Sequence, residues 1–174
     1  QIHCSFVLGK SRLSPLETVT IPRLELTAAT VSVRLDTLIS KEIDYPAPIS
    51  DSFFWTDSTT VLRYIENETK RYQTFVANRV TYIRERSTPS QWKYVESKKN
   101  TANCASRGLT VKSFLSIDTW IKGPEFIWNP ETSWPKGPSI GELSNDDPEV
   151  KREVVAFPTT TEAKSPRVCL CSIV

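Results

Sequence analysis

Two carboxylates stand where chemistry can be done. Asp57 ends the continuous β-prone run Phe53-Phe54-Trp55-Thr56, and Glu25 lies in the first turn of a helix announced by Pro22. Ligands of open α/β sheets bind beyond the carboxyl ends of the strands, which is where an acid after FFWT would sit. Each residue also has a plainer reading: Asp57 as part of a helix start at Ser58, and Glu25 as a favourable charge against the helix dipole. Taken together, two carboxylates with positions left for water are the beginning of a magnesium site. Lys98, Lys99 and Arg107 flank Asn103 and suit phosphate contacts, with solvated side chains as the alternative. His3 is the only histidine, so no Ser-His-Asp arrangement is supported. Cys4, Cys104, Cys169 and Cys171 are too scattered for a disulfide framework or a zinc site, and a reducing compartment is the expectation. The end Cys171-Ser172-Ile173-Val174 has a C-a-a-X shape, against which stands an accidental terminus.

The elements that must position these residues follow from periodicity. Ile2, Cys4, Phe6 and Leu8 alternate, which predicts a short strand over Ile2–Leu8. Pro22 suits the first helical turn, and Leu24, Ala28, Val31, Leu35 and Leu38 then recur at helical spacing, predicting a buried stripe. Pro46 and Pro48 end that helix. Phe53–Asp57 reads as a strand buried on both faces, and Ser58 or Thr59 as the cap of a short helix through Ile65. A further helix is expected over about 72–86, with Tyr72, Phe75, Val76, Val80 and Ile83 inward, and a second strand over Gln91–Val95. This order implies a mixed or parallel sheet with helices packed on it.

Composition narrows the class. The chain has 174 residues, 39% hydrophobic and 24% charged, enough for one domain with a core. No apolar run approaches the roughly 18 residues of a membrane span, and Gln1–Lys10 lacks the build of a signal peptide, so an intracellular, non-membrane protein is expected. Residues 1–57 hold 5 basic and 7 acidic side chains, residues 58–112 hold 11 and 4, and residues 113–174 hold 6 and 9. The net +7 of the middle third suits a polyanion such as nucleic acid, or equally a solvated basic face. Seven prolines fall within residues 121–174, so a domain over 1–134 and a polar tail without a core over 135–174 are expected. With no methionine and a start at Gln1, the chain reads as a piece of a larger product.

Several motifs occur in order: IPRLELTAA at Ile21–Ala29, FFWTDS at Phe53–Ser58, FVANRV at Phe75–Val80, SQWKYV at Ser90–Val95, ASRGL at Ala105–Leu109 and GPEFIW at Gly123–Trp128. Over roughly Val7–Trp134 the chain resembles the ribonuclease H region of BEL/Pao-type LTR retrotransposon polyproteins. The resemblance implies an α/β, ribonuclease H-like mixed sheet flanked by helices. It also implies four acids that bind two Mg2+ or Mn2+ ions and hydrolyse the RNA of an RNA–DNA hybrid. The partners it implies are nucleic acid and the reverse transcriptase and integrase regions of a parent polyprotein. Glu25 corresponds to the helix acid and Asp57 to the acid ending the fourth strand. The family pattern N-P-A-D is here Asn100-Thr101-Ala102-Asn103, so Asn103 stands at the last metal-binding position without its charge.

The first acid would belong to a strand preceding Gln1, and the sheet is expected to lack its first two strands. Ile2–Leu8 and Phe53–Asp57 would then expose edges or pair with each other. Hard divalent ions are held largely by ligand charge, so the pair Glu25 and Asp57 is expected to hold a second ion poorly or not at all. The chain is expected to be catalytically incompetent, its rival reading being a non-catalytic nucleic-acid-binding remnant or host-adopted module.

Overall fold

A computed structural model describes residues 2–43, 49 and 51–152, without the side chains of Arg107 and Leu115. The C-a-a-X end and the prolines at 46 and 48 lie outside the described residues. The order is α1 (Ile21–Glu42), β1 (Phe54–Thr56), α2 (Thr59–Glu66), α3 (Thr74–Arg84), β2 (Trp92–Tyr94), α4 (Asn103–Arg107), α5 (Val111–Ser116) and α6 (Asp118–Lys122). β1 and β2 pair in parallel, Phe54 opposite Trp92 and Thr56 opposite Tyr94, with α2 and α3 in the crossover. Parallel neighbours require such a crossover, and the result is an α/β arrangement with a small sheet.

Local chemistry explains these elements. Pro22 sits in the first turn of α1, where its missing N–H leaves no bond unmade. Ser58 Oγ accepts from the Val61 N–H at 3.1 Å and starts α2. At the other end of α2, Arg84 of α3 donates to the carbonyls of Ile65 (2.8 and 2.6 Å) and Asn67 (2.7 Å), which the helix itself leaves free. The core joins Leu26, Ala29 and Val33 of α1 to Val61, Leu62, Tyr64 and Ile65 of α2 and to Val76, Val80 and Ile83 of α3. Phe54 and Trp92 stack at 4.7 Å beneath the helices, and the Trp92 indole donates to Ser87 Oγ at 3.0 Å. On the other face of the sheet Trp55 meets Phe126 and Trp134.

Three expectations are corrected. Ile2–Leu8 forms no strand: the Phe6 N–H donates to the carbonyl of Ile121 at 2.8 Å, and Phe6 lies against Trp120 rather than in a sheet. Alternation alone does not make a strand, because a strand needs a neighbour to satisfy its backbone. In α1 the buried row is Leu26, Ala29, Thr30 and Val33, not Leu24, Ala28, Val31, Leu35 and Leu38. At 3.6 residues per turn the expected row lies about 180° away, and Ala28 and Leu38 are exposed. Helix α1 is apolar on two opposite sides, and α2 and α3 cover only one.

The third correction concerns the end. Beyond Pro135 the chain returns to the helices, burying Leu143, Glu149 and Val150. Val150 bridges antiparallel to Tyr72, and the Lys70 ammonium donates to the carbonyl of Leu143. Tyr64 donates its hydroxyl to Asp147 at 3.1 and 3.2 Å. Burial, then the Asp147 charge, pushes that phenol well above its ordinary pKa. Residues 140–151 therefore belong to the folded body, while 153–174 lie outside the described residues.

Candidate functional site

Asp57 leaves the carboxyl end of β1, one residue before the Ser58 cap, and is half-buried. Pairing of the strands carries Val95 to the same end, where its N–H donates to the Thr56 carbonyl at 2.9 Å. The chain then turns tightly: the N–H groups of Lys99 and Asn100 both donate to Glu96 O, and Asn103 N–H donates to Asn100 O. This turn delivers two amides to one carboxylate. Asn100 Nδ2 donates to Asp57 Oδ1 at 3.3 Å, and Asn103 Nδ2 donates to Asp57 Oδ2 at 3.1 Å.

The orientation of the Asn103 amide follows from its other neighbours. Nδ2 also lies 2.9 Å from the carbonyl of Ser97, an acceptor only, and 2.9 Å from Ser97 Oγ. Turning Oδ1 toward Asp57 would set oxygen against oxygen at both contacts. Burial raises the Asp57 carboxyl, but hydrogen bonds from Asn103, Ser97, the backbone and Asn100 outweigh it and hold its pKa below the ordinary carboxylate value.

The sequence-derived positions divide accordingly. Asp57 and Asn103 meet in one cluster. Glu25 lies half-buried on α1, which packs on α3 and α2, and it makes no hydrogen bond or ion pair among the described residues. Lys98 and Lys99 are exposed on the turn that supplies Asn100, and Lys99 lies 3.6 Å from Glu96. Arg107 belongs to α4, which Gly108 ends at φ 74°, a backbone state that glycine adopts freely; the Arg107 side chain is outside the described residues. His3 stands edge-on to Trp128, remote in sequence from the cluster.

Asn100 and Ser97 were not read from the sequence as part of the site. The signal was available in the turn chemistry of Asn100-Thr101-Ala102-Asn103, because asparagine side chains organise tight turns. Asn100 Oδ1 indeed accepts from the Ala102 N–H at 3.1 Å.

Among the described residues, no three His, Cys, Asp or Glu side chains come together. As placed, both carboxylate oxygens of Asp57 face amide N–H donors, Asn100 on Oδ1 and Asn103 on Oδ2.

Comparison with known proteins adds a family. Residues 1–58 match the model of the Pao retrotransposon-like RNaseH-like domain, a third of the chain that contains both Glu25 and Asp57. No curated protein and no solved structure matches. Over that segment, residues 1–58, the chain is similar to a Pao/BEL-type ribonuclease H region.

Proposed function

We propose that the chain is a ribonuclease H-like module of retroelement ancestry that engages nucleic acid without cutting it. The ancestral reaction implied by the family is hydrolysis of RNA in an RNA–DNA hybrid with two Mg2+ or Mn2+ ions. Support for the fold comes from the family match, the helix carrying Glu25, and the parallel pair β1–β2 with Asp57 at its carboxyl end.

The observation that carries the loss of activity is the Asn103 amide on Asp57 Oδ2. An aspartate in its place would present a second carboxylate, and two carboxylates at that distance call for a cation between them. The amide neutralises the position instead and satisfies Asp57 from within the chain. Lys98 and Lys99, exposed beside this corner, supply charge for phosphate oxygens without base-specific reading.

The test is incubation of the purified chain with a labelled RNA–DNA hybrid in Mg2+ or Mn2+. The hybrid should be retained at low salt and remain uncut. Cleavage that disappears in Asp57→Asn would overturn the proposal.

A further inference from the structure

An aromatic-x-x-x-Arg unit occurs twice, seven residues apart: Phe75 with Arg79 within α3, then Tyr82 of α3 with Arg86 in the turn that follows it. Two helical turns place Phe75 and Tyr82 on one face of α3. The Arg79 guanidinium lies 3.4 Å from the centre of the Phe75 ring, and that of Arg86 lies 3.9 Å from the centre of the Tyr82 ring. From α1, Arg23 approaches the same Phe75 at 4.9 Å and Arg34 the same Tyr82 at 5.1 Å. Each ring is thus shared by two arginines: Phe75 by Arg23 of α1 and Arg79 of α3, and Tyr82 by Arg34 of α1 and Arg86 of the turn after α3.

The acids do not match this charge. Arg23 is bound to the buried Glu149 at 2.5 and 3.0 Å, and Arg86 to Glu85 at 2.9 Å. Arg34 is exposed and has neither a hydrogen bond nor an acidic partner among the described residues. Arg79 donates only to neutral oxygens, Thr27 Oγ1 at 3.3 Å and Phe75 O at 3.0 Å. Burial, then the charges of Arg34 and Arg23, lower the pKa of Arg79. Guanidiniums held against rings in this way keep donors for phosphate oxygens: Nη2 of Arg79 and the whole fork of Arg34 make no hydrogen bond among the described residues.

We propose that this face of α1 and α3 is a second phosphate-binding surface, seating the backbone of a nucleic-acid duplex on Arg34 and Arg79. It takes its ligand class from the nucleic-acid reading above but uses different residues. Arg23 and Arg34 are eleven residues apart and nearly in line on α1, whereas Glu25 lies about 160° around the helix from Arg23. A duplex on the arginines therefore does not occupy the side of α1 that carries Glu25. The contact is sequence-independent, since guanidiniums that grip phosphate oxygens position a duplex without reading its base edges.

The experiment is the salt dependence of binding of a random-sequence DNA duplex of about 20 base pairs, read by fluorescence anisotropy. Arg34→Gln and Arg79→Gln should each weaken binding and reduce the log–log salt slope by about 0.9, and the double variant by about twice that. Because Arg79 packs on Phe75, Arg34→Gln decides the matter if the Arg79 variant fails to fold. Slopes unchanged in the arginine variants but reduced in Lys98→Gln/Lys99→Gln would overturn this surface and leave the Asp57 corner as the contact. Arginine-dependent binding of polyglutamate with no binding of the duplex would also overturn it, assigning the face to an acidic protein. Absence of duplex binding by the unaltered chain at low salt would remove both proposals.

Discussion

The Asp57 corner and the arginine face of α1 and α3 handle charge in opposite ways. At the corner, one carboxylate is met by two amides of its own chain and titrates low. On the face, Arg34 is met by an aromatic ring and Arg79 by a ring and neutral oxygens, and burial, then the charges of Arg34 and Arg23, lower the pKa of Arg79. A charge satisfied internally has little to gain from a ligand, whereas an uncompensated one gains whatever counter-charge arrives. The difference teaches that the most conspicuous acid in the sequence is satisfied by amides of its own chain, whereas Arg34 and Arg79 have no acid of the described residues against them.

The sharpest way to break this contrast is Asn103→Asp. It replaces a hydrogen-bond donor at 3.1 Å from Asp57 Oδ2 by a second carboxylate. The lost bond and the new repulsion should cost about 2–3 kcal/mol at neutral pH. One of the two carboxyls should then titrate well above the ordinary range. Melting curves should show the loss shrinking on acidification, and shrinking at pH 7 when Mn2+ is added. A variant as stable as the parent, indifferent to Mn2+, would show that the amide is not what holds the corner together.

A smaller effect is expected from Arg84→Gln, which sharpens the contrast within one helix. Arg84 lies on α3 with Arg79, but its guanidinium is committed to the carbonyls of Ile65 and Asn67. Removing it should cost about 1–3 kcal/mol by urea denaturation. Its effect on the salt slope of duplex binding should be near zero, the reverse of Arg34→Gln. A large change in slope without loss of stability would mean that α3 arginines act as an undifferentiated basic surface.

Much of this was legible in the sequence, and the failures share a cause. Pro22 and Ser58 carry their own local chemistry and stand where the sequence placed them, whereas the strand expected over Phe53–Asp57 and buried on both faces is Phe54–Thr56, with Phe54 buried, Trp55 half-buried and Phe53 exposed. The β2 strand followed from the alternation of Trp92 and Tyr94 in the same local way. What could not be read depends on partners distant in the chain. Helix α1 bears apolar residues on two sides, and only the position of α2 and α3 decides that Leu26 and Val33 are buried while Leu38 is half exposed. Residues 140–151 looked like a tail because their composition is polar, yet Glu149 is buried against Arg23, 126 residues away. Of the candidate site, Asp57 and Asn103 were visible as positions in a motif. That Asn103 donates to Asp57, rather than ligating beside it, required the Ser97 carbonyl to fix which end of the amide points inward.

The smallest expected effect comes from Asp57→Asn, and its pH dependence is the diagnostic part. The Asp57 carboxyl titrates lower in the folded chain than its ordinary value, because burial is outweighed by donors from Asn103, Ser97, the backbone and Asn100. The folded state therefore binds that proton less readily than the unfolded state. Its contribution to stability is present in full above the unfolded aspartate value of about 3.9 and is lost as pH falls through the lower folded value. Asp57→Asn removes the titrating group, so melting temperature should fall less steeply below about pH 4 than in the parent. Near pH 7 the variant should be modestly less stable, since one carboxylate oxygen becomes an amide nitrogen facing a donor. Because the corner is half open to water, the whole effect should be smaller than that of Asn103→Asp. Parallel melting curves for parent and variant from pH 7 down to about pH 2 would show that the amides of Asn100 and Asn103 do not stabilise the Asp57 anion, and the contrast with the arginine face would fall with them.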